Sequence, residues 1–295
     1  MKVLVTGAKG QLGFDVLNEL ISRGNEAVGV DIEEMDITDG VCVDKVITKN
    51  CPDAVIHCAA WTAVDAAQEE VNQGKAYLVN AIGTENIANI CKKLDIKMMY
   101  ISTDYVFNGQ GEKPWNPDCK QYAPLNVYGE TKMKGEIAVA DVLSKFFIVR
   151  IEWAFGVNGN NFIKTMLKVG KNQESLTVVN DQIGTPTYTY DLARLLVDMI
   201  ETEKYGYYHA TNEGGFISWY DFACEIFRQA AASGHQEYDT THLTVIPVNT
   251  AEYFGVKAMR PFNSRLDKSK LTTNGFEVLP TWQDAIGRYL KEIDF

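Results

Sequence analysis

Residues 2–31, KVLVTGAKGQLGFDVLNELISRGNEAVGVD, contain a short apolar strand, a glycine-rich turn, an amphipathic helix and a second strand. Gly7 allows a tight turn after the strand, Gly10 lets the backbone approach a pyrophosphate, and Gly13 lets the helix pack close to the sheet. The second strand ends at Asp31, whose carboxylate can accept hydrogen bonds from both ribose hydroxyls of an adenosine. This segment therefore predicts a dinucleotide-binding βαβ unit, with the pyrophosphate at the helix N-terminus.

The same alternation of β-branched runs and helical patterns continues through the first half of the chain. Further strands are predicted over residues 53–59, 97–103 and 146–151, and further helices around residues 41–50, 65–77, 81–94 and 126–141. Strands that are apolar on both faces are typical of parallel sheets covered by helices. The predicted fold class is α/β, with a doubly wound parallel (Rossmann) sheet.

Beyond about residue 155 the alternation loosens and the segments become mixed and aromatic-rich. We expect a smaller C-terminal α/β substrate lobe on the carboxyl ends of the strands, where open α/β sheets bind ligands. Residues 1–155, together with about 176–201, are assigned to an NAD(P)-binding Rossmann domain. About 156–175 and 202–295 are assigned to the substrate-binding lobe.

The composition disfavours several classes of protein. The 295 residues include 28 Lys+Arg and 39 Asp+Glu, a formal net charge of −11 without a basic stripe, so no nucleic-acid partner is expected. The six cysteines form no C-x-x-C pair and the four histidines lack helical spacing, which predicts no metal site and a reduced, cytoplasmic protein. No apolar stretch approaches the roughly 20 residues that cross a bilayer, so no membrane partner or export is expected.

A second group of residues suggests proton transfer. Tyr128 and Lys132 are four residues apart in a predicted helix, and Thr103 and Asp104 end the fourth predicted strand. Residues at i and i+4 share a helix face about 6 Å apart along the axis, so both side chains can face one ligand. A neighbouring ammonium favours the ionised phenol and is therefore expected to lower the pKa of Tyr128. The tyrosine would then exchange a proton near neutral pH.

With these motifs the chain resembles the extended short-chain dehydrogenase/reductases, and within them most closely the dTDP-4-dehydrorhamnose reductase family. The resemblance runs through nearly the whole chain and is carried by VTGAKGQLG, VIHCAAWTAVDAAQ, STDYVFNG, PLNVYGETKMKGE, RIEWAFG, GNNFIKTML, NDQIGTPT and RPFNSRLDKSKL. It implies NAD(P)H-dependent reduction of the 4-keto group of a dTDP-linked sugar, dTDP-4-dehydro-L-rhamnose.

The resemblance also implies which residues bind the cofactor, NAD(H) with NADP(H) as the other option. Gly10, Gln11 and Leu12 would form the pyrophosphate turn and Asp31 would bind the ribose. The segment Ala60, Trp61 and Thr62 would line the nicotinamide side of the cofactor. The charge of Asp31 opposes a 2′-phosphate, whereas the nearby Lys9 offers a cation.

On the substrate side, the resemblance implies that Thr103 and Asp104 hydrogen-bond the sugar at the reacting carbon. Tyr128 would donate the proton, Lys132 would hold the nicotinamide ribose and Trp153 would pack on the sugar nucleotide. Two positions depart from the family's usual pattern. Trp61 stands where His is frequent, and Ile151-Glu152 precede Trp153 where Thr-Ser is common.

Three further residues, Arg260, Gln182 and His57, are polar or charged. Arg260 is a candidate for the substrate diphosphate, because an acidic protein needs a local cation there and arginine pairs in a bidentate fashion. Gln182, in the NDQIGTPT loop, is a further substrate-binding candidate. His57 lies within a strand pattern and is expected to be a packed core histidine.

Alternative functions remain open from the sequence. Another sugar-nucleotide reductase, or an epimerase that keeps NAD bound, would use the same motifs. A dehydratase is disfavoured because Tyr105, and not Glu, follows Thr103-Asp104. A non-catalytic NADP-binding regulatory subunit, similar to that of methionine adenosyltransferase, is the third class. The expected partner is a dTDP-sugar substrate, and a homodimer is left open.

Overall fold

The structure of the protein is a computed structural model that describes residues 1–253 and 257–295. Its strands, numbered in chain order, are β1 (Lys2–Thr6), β2 (Glu26–Val30), β3 (Ala54–His57), β4 (Lys97–Thr103), β5 (Phe146–Ile151), β6 (Ala154–Phe155), β7 (Ser175–Val179), β8 (Ile183–Gly184), β9 (Thr187–Tyr188), β10 (Gly206–His209), β11 (Asn212–Glu213), β12 (Ile217–Ser218), β13 (Thr244–Val248) and β14 (Leu279–Thr281).

Helices cover the sheet and build the second lobe. They are α1 (Gln11–Ser22), α2 (Gly40–Asn50), α3 (Val64–Ala67), α4 (Glu70–Tyr77), α5 (Thr84–Leu94), α6 (Val127–Val142), α7 (Phe162–Gly170), α8 (Thr189–Ile200), α9 (Trp219–Ala232), α10 (Ser269–Thr273) and α11 (Trp282–Leu290). A π-helical segment, Leu78–Gly83, joins α4 to α5. In the described part of the chain, no helix is both long and apolar enough to cross a membrane.

The central sheet consists of parallel strands in the order β10-β5-β4-β3-β1-β2. Successive residues of a strand point to opposite faces, and each face has its own apolar core. Val3 and Val5 of β1 pack with α1 and α8 on one side, whereas Leu4 packs with α2 and α5 on the other. The predicted α/β fold with a doubly wound parallel sheet is confirmed.

The strand order reverses at β1, which has β2 on one side and β3 on the other. The chain moves outward from β1 in both directions, which opens a crevice at the carboxyl ends of β1 and β3. Ligands of open α/β sheets bind in such a crevice. The fold therefore places the glycine-rich turn after β1 at the entrance of a ligand site.

A separate core holds the second lobe together. It includes Phe155, Leu167 of α7, Phe222 of α9, Trp282 and Tyr289. Strand β7 pairs in parallel with β13 there, although residues from about 176 were assigned to the Rossmann domain. Its partner strand lies some 70 residues further along the chain, which a local pattern does not show.

A second correction concerns β10, which was assigned to the substrate lobe with the rest of residues 202–295. Gly206–His209 instead pairs in parallel with Phe147–Arg150 and is the edge strand of the central sheet. The predicted helix over residues 65–77 is also interrupted, because α3 ends at Ala67 and α4 begins at Glu70. The remaining predicted strands and helices of the first half lie close to their predicted bounds.

Candidate active site

A cavity of about 1010 Å³ opens over the carboxyl ends of β1, β3, β4 and β5. It is lined by the glycine-rich turn, by the ends of these strands and by the start of α6. A volume of this size suits a cofactor together with a substrate. Of the residues predicted to form the site, the cavity is lined by Gly7, Gly10, Gln11, Leu12, Gly13, Asp31, Ala60, Trp61, Thr62, Thr103, Asp104, Tyr128, Lys132 and Trp153.

The glycine-rich turn has the geometry of an anion cradle. Gly7 has φ +65°, and a Cβ there would lie 2.7 Å from the backbone nitrogen of Ala59. A Cβ at Gly13 would overlap the carbonyl oxygen of Gly7. Helix α1 begins after Gly10, and no side chain caps its first amides. These N–H groups are therefore available to a pyrophosphate, and the residues present fit a dinucleotide.

The end of β2 carries an acidic group of residues. Asp31 accepts a hydrogen bond from the backbone N–H of Lys9 at 3.0 Å, so its carboxylate faces the glycine-rich turn. The Lys9 ammonium lies 2.6 Å from a carboxylate oxygen of Glu33 and 3.5 Å from one of Glu34. The cation that could attract a 2′-phosphate is thus already paired with carboxylates.

The Ala60–Thr62 segment after β3 is fixed by a residue that sequence reasoning missed. The Asn80 amide accepts from the Trp61 N–H at 2.8 Å and donates to the Trp61 carbonyl oxygen at 3.1 Å. Asn80 is buried within the π-helical segment and also donates to Thr131 of α6. Such a segment often marks a functional site, but it is a feature of the folded chain, so the helices predicted from the sequence did not reveal Asn80.

The predicted core histidine is confirmed beneath this segment. His57 is buried, and its ring nitrogens lie 2.7 Å from the Thr6 hydroxyl and 3.1 Å from the Thr84 hydroxyl. Burial, aided by the charge of Lys132, lowers the pKa of His57 to about 3. The imidazole is therefore neutral and structural.

Thr103 and Asp104 lie side by side where β4 ends. The Thr103 hydroxyl donates to Asp104 Oδ1 at 2.9 Å, and the Ser264 hydroxyl donates to Asp104 Oδ2. Burial raises the pKa of Asp104 to about 6 despite these hydrogen bonds. Ser264 lies in the RPFNSRLDKSKL motif, but sequence reasoning gave it no role, since its partner is 160 residues away.

Tyr128 is the second residue of α6 and is half-buried at the same end of the cavity. Burial of its hydroxyl raises its pKa, the charge of Asp104 raises it further, and the Thr103 hydroxyl acts in the opposite direction. This corrects the expectation that Lys132 lowers the pKa of Tyr128, because desolvation of the hydroxyl dominates and the charge of Asp104 adds to it. The phenol therefore stays protonated at neutral pH and can donate a proton.

Lys132 lies one helical turn after Tyr128 and is buried beneath it. Its ammonium donates to the Ile101 carbonyl oxygen at 2.7 Å and lies 4.0 Å from the centre of the Tyr100 ring. Burial lowers the pKa of Lys132 to about 7, although the charge of Glu136 acts against this. The side chain is thus held at the floor of the cavity.

The wall beyond β5 is aromatic. Trp153 has φ +47°, uncommon for a bulky residue, and stacks on Trp219 with ring centroids 3.8 Å apart. Both indoles line the cavity, so the pair offers a flat surface to a sugar or a base. Trp219, from α9 of the second lobe, was not found by sequence reasoning.

Two predicted substrate-binding residues lie outside the cavity. The guanidinium of Arg260 donates to both carboxylate oxygens of Asp65, at 3.2 and 2.7 Å, so its fork is already occupied. The Gln182 amide donates to the Thr250 hydroxyl at 3.0 Å and is buried in the second lobe. Neither side chain lines the cavity, and each is hydrogen-bonded to a residue distant in sequence. Across residues 1–253 and 257–295, no group of three or more His, Cys, Asp or Glu could hold a metal ion.

Comparison with known proteins agrees with this geometry. The sequence profile of the RmlD substrate binding domain matches residues 1–295. A dTDP-4-dehydrorhamnose reductase of Aggregatibacter actinomycetemcomitans is 39% identical over an alignment of 293 residues that covers 97% of each chain. Two solved dTDP-4-dehydrorhamnose reductases superimpose over 99% of each chain: one from Clostridium acetobutylicum (38% identity, TM-score 0.91) and one from Bacillus anthracis in complex with NADP (39%, TM-score 0.90).

Proposed function

Since the chain belongs to the RmlD substrate binding domain family, we propose that it is a dTDP-4-dehydrorhamnose reductase. It reduces the 4-keto group of dTDP-4-dehydro-L-rhamnose to dTDP-L-rhamnose with NAD(P)H. The observation that supports this function is that a single cavity contains both a dinucleotide-binding turn and the residues for proton transfer. The uncapped glycine-rich turn lies at one end and Thr103, Tyr128 and Lys132 converge at the other.

Bound NAD(P)H supplies the hydride that reduces the sugar carbonyl. The residues of this chain bind and orient the ligands and handle the proton. As charge builds on the carbonyl oxygen, Tyr128 donates its phenolic proton to that atom and the Thr103 hydroxyl hydrogen-bonds it. Because burial raises the pKa of Tyr128, the phenol is protonated when the substrate binds.

Lys132 has a positioning role in this proposal. Its tether to Ile101 keeps the ammonium at the end of β4, where it can bind the nicotinamide ribose next to Tyr128. Asp104 orients the Thr103 hydroxyl and is itself held by Ser264. Trp153 and Trp219 form the wall against which the sugar nucleotide packs.

We also propose that the two lobes bind different ligands and that the protein is cytoplasmic. The sheet with its glycine-rich turn binds the dinucleotide, and residues 156–179 with most of 202–295 bind the sugar nucleotide. A cytoplasmic location is supported by the cysteines, all of which are free in the structure. Sedimentation of the purified protein would measure whether it is a homodimer.

A direct assay tests the function. Purified protein is mixed with dTDP-4-dehydro-L-rhamnose and NADH or NADPH, and we expect one equivalent of cofactor to be oxidised for each sugar converted. Conversion of the sugar without net oxidation would indicate an epimerase with resident cofactor. Tight binding of NADP(H) without turnover would instead support a regulatory subunit.

A further inference from the structure

The loop of residues 156–161, which leads from β6 into α7 of the second lobe, lies against the glycine-rich turn. The Asn158 side chain donates from Nδ2 to the carbonyl oxygen of Lys9 at 2.7 Å and lies 3.5 Å from that of Gly10. In the described part of the chain, the Asn158 amide donates to no other residue. Its side chain therefore joins this loop to the turn that follows β1.

The turn also reaches back to the loop. Oε1 of Gln11 accepts from the Gly156 backbone N–H at 2.9 Å and from the Asn161 amide at 3.1 Å. The two segments are in close contact, because a Cβ at Gly159 would lie 3.3 Å from the Cγ atom of Gln11. The loop and the turn are thus held together by hydrogen bonds from both sides.

The loop has a conformation of its own that places Asn158. The Lys164 ammonium, from the first turn of α7, donates to the carbonyl oxygens of Val157 at 2.6 Å and Gly159 at 2.8 Å. The Asn161 side chain accepts from the Lys164 backbone N–H at 3.1 Å and so caps α7. Asn158 therefore lies between two residues whose backbone is fixed by the second lobe.

The contact of Asn158 fixes one peptide group of the turn. In the peptide between Lys9 and Gly10, the carbonyl oxygen accepts from Asn158, and the N–H donates to the carbonyl oxygen of Gly7 at 3.0 Å. Gly10 is the residue just before α1, so the orientation of this peptide sets the direction of the first amides of the helix. Backbone N–H groups oriented in this way form the anion site of such turns.

We propose that Asn158 is a positioning residue for dinucleotide binding, which orients the peptide between Lys9 and Gly10 so that the first amides of α1 face the pyrophosphate. The inference rests on the proposed function for the nature of the ligand. Lys9 and Gly10 line the cavity, whereas Asn158 is not among its lining residues. Asn158 therefore acts through the turn and does not touch the cofactor.

The test compares Asn158→Ala with Asn160→Ala, a change of the same kind in the same loop. Asn160 is exposed, and the hydrogen bonds that join the described loop and turn come from Gly156, Asn158 and Asn161. The probes are NADH and ADP-ribose, which has the adenosine and the pyrophosphate but no nicotinamide. We expect Asn158→Ala to weaken both by about three- to tenfold, the size of one lost hydrogen bond. Asn160→Ala should bind both like the wild type.

A second pair of variants adds a charge. Asn158→Asp places a carboxylate opposite two carbonyl oxygens and removes the donor, so it should weaken ADP-ribose more than Asn158→Ala does. Asn160→Asp introduces the same charge two residues away and controls for long-range repulsion of the phosphates. An equal loss in Asn160→Asp would overturn the inference, as would wild-type affinity in Asn158→Ala.

Other measurements separate positioning from a structural role. Since the proton-transfer residues lie at the other end of the cavity, Asn158→Ala should raise the KM for NADH and leave kcat at saturating NADH close to the wild-type value. Its melting temperature and its affinity for dTDP-L-rhamnose should also be retained. A lower melting temperature with equal losses for NADH and dTDP-L-rhamnose would show a structural role and overturn the inference.

The failure of the proposed function would look different. In that case the wild-type protein would bind NADH and ADP-ribose without reducing the sugar, and the titrations would still report on Asn158. The failure of the inference alone would leave an active reductase whose Asn158 variants bind both dinucleotide probes like the wild type.

Discussion

The hydroxyl of Thr103 donates a 2.9 Å hydrogen bond to the carboxylate of Asp104, its neighbour in sequence. The same hydroxyl accepts from the backbone N–H of Tyr105 at 3.2 Å. A residue that is expected to contact the substrate carbonyl is thus oriented by a buried carboxylate whose charge also acts on Tyr128. This coupling makes the pH dependence of the reaction a test of the site.

Asp104→Asn is expected to move the alkaline limb of kcat/KM to lower pH. Tyr128 must be protonated to donate, so activity falls as pH rises through its pKa. The Asp104 carboxylate is the second contribution that raises this pKa, and removing its charge lowers the value. Burial, which contributes more to the raised pKa of Tyr128, remains in the variant. The alkaline limb should therefore move only part of the way back towards the pKa of an ordinary tyrosine. Rate profiles of both proteins measure this, and a limb at the same or higher pH would contradict the coupling.

NADH should be used at least as well as NADPH. Asp31 lines the cavity and faces the glycine-rich turn, so its charge would oppose a 2′-phosphate there, and the nearby Lys9 is paired with Glu33 and Glu34. A steady-state comparison of the two cofactors measures the preference, and a tenfold or greater preference for NADPH, about 1.4 kcal/mol, would reject the prediction. Asp31→Ala should shift the preference towards NADPH, and Glu33→Gln should do so to a smaller extent by releasing Lys9.

Trp153→Ala should raise the KM for the sugar nucleotide by roughly tenfold with little effect on NADH affinity, because an aromatic wall contributes about 1 to 2 kcal/mol through contact area and stacking. Arg260→Ala is the matched comparison. Since Asp65 already occupies its guanidinium, it should raise KM much less than Trp153→Ala. If Arg260→Ala raised KM more than Trp153→Ala did, with the melting temperature unchanged, Arg260 would have to be a substrate-binding residue.

Tyr128→Phe should lower kcat by about 10² to 10⁴-fold, the usual contribution of a positioned proton donor. The ring and its packing against Tyr105 are kept, so binding of NADH and the melting temperature should not change. Steady-state kinetics measure kcat, and a fluorescence titration measures the affinity for NADH. Nearly full activity with an intact fold would mean that another group, with Asp104 the first to examine, supplies the proton.

The parts of the site that the sequence predicted are local in the chain. The glycine-rich turn and the Tyr128–Lys132 pair depend on spacing within one turn or one helix, and the structure places them in one cavity. Asp31 was predictable for the same reason, as the residue that follows the strand after the first helix.

The parts that were missed or misassigned depend on distant contacts. Arg260 was predicted to be available, but Asp65, 195 residues earlier, pairs with it. The pKa of Tyr128 is raised, although the sequence predicted that it would be lowered. The motif shows the neighbouring Lys132, but the burial that raises the pKa is a property of the folded molecule. Glu152 departs from the family pattern in sequence, but only the packing shows that it is buried.

The most direct test of the central claim follows the hydrogen itself. The protein is supplied with dTDP-4-dehydro-L-rhamnose and NAD(P)H carrying deuterium at the transferred position of the nicotinamide, and the sugar product is analysed by NMR. The account predicts dTDP-L-rhamnose with one deuterium at C4 and one equivalent of oxidised cofactor. A sugar without deuterium at C4, or conversion without net oxidation of the cofactor, would contradict it.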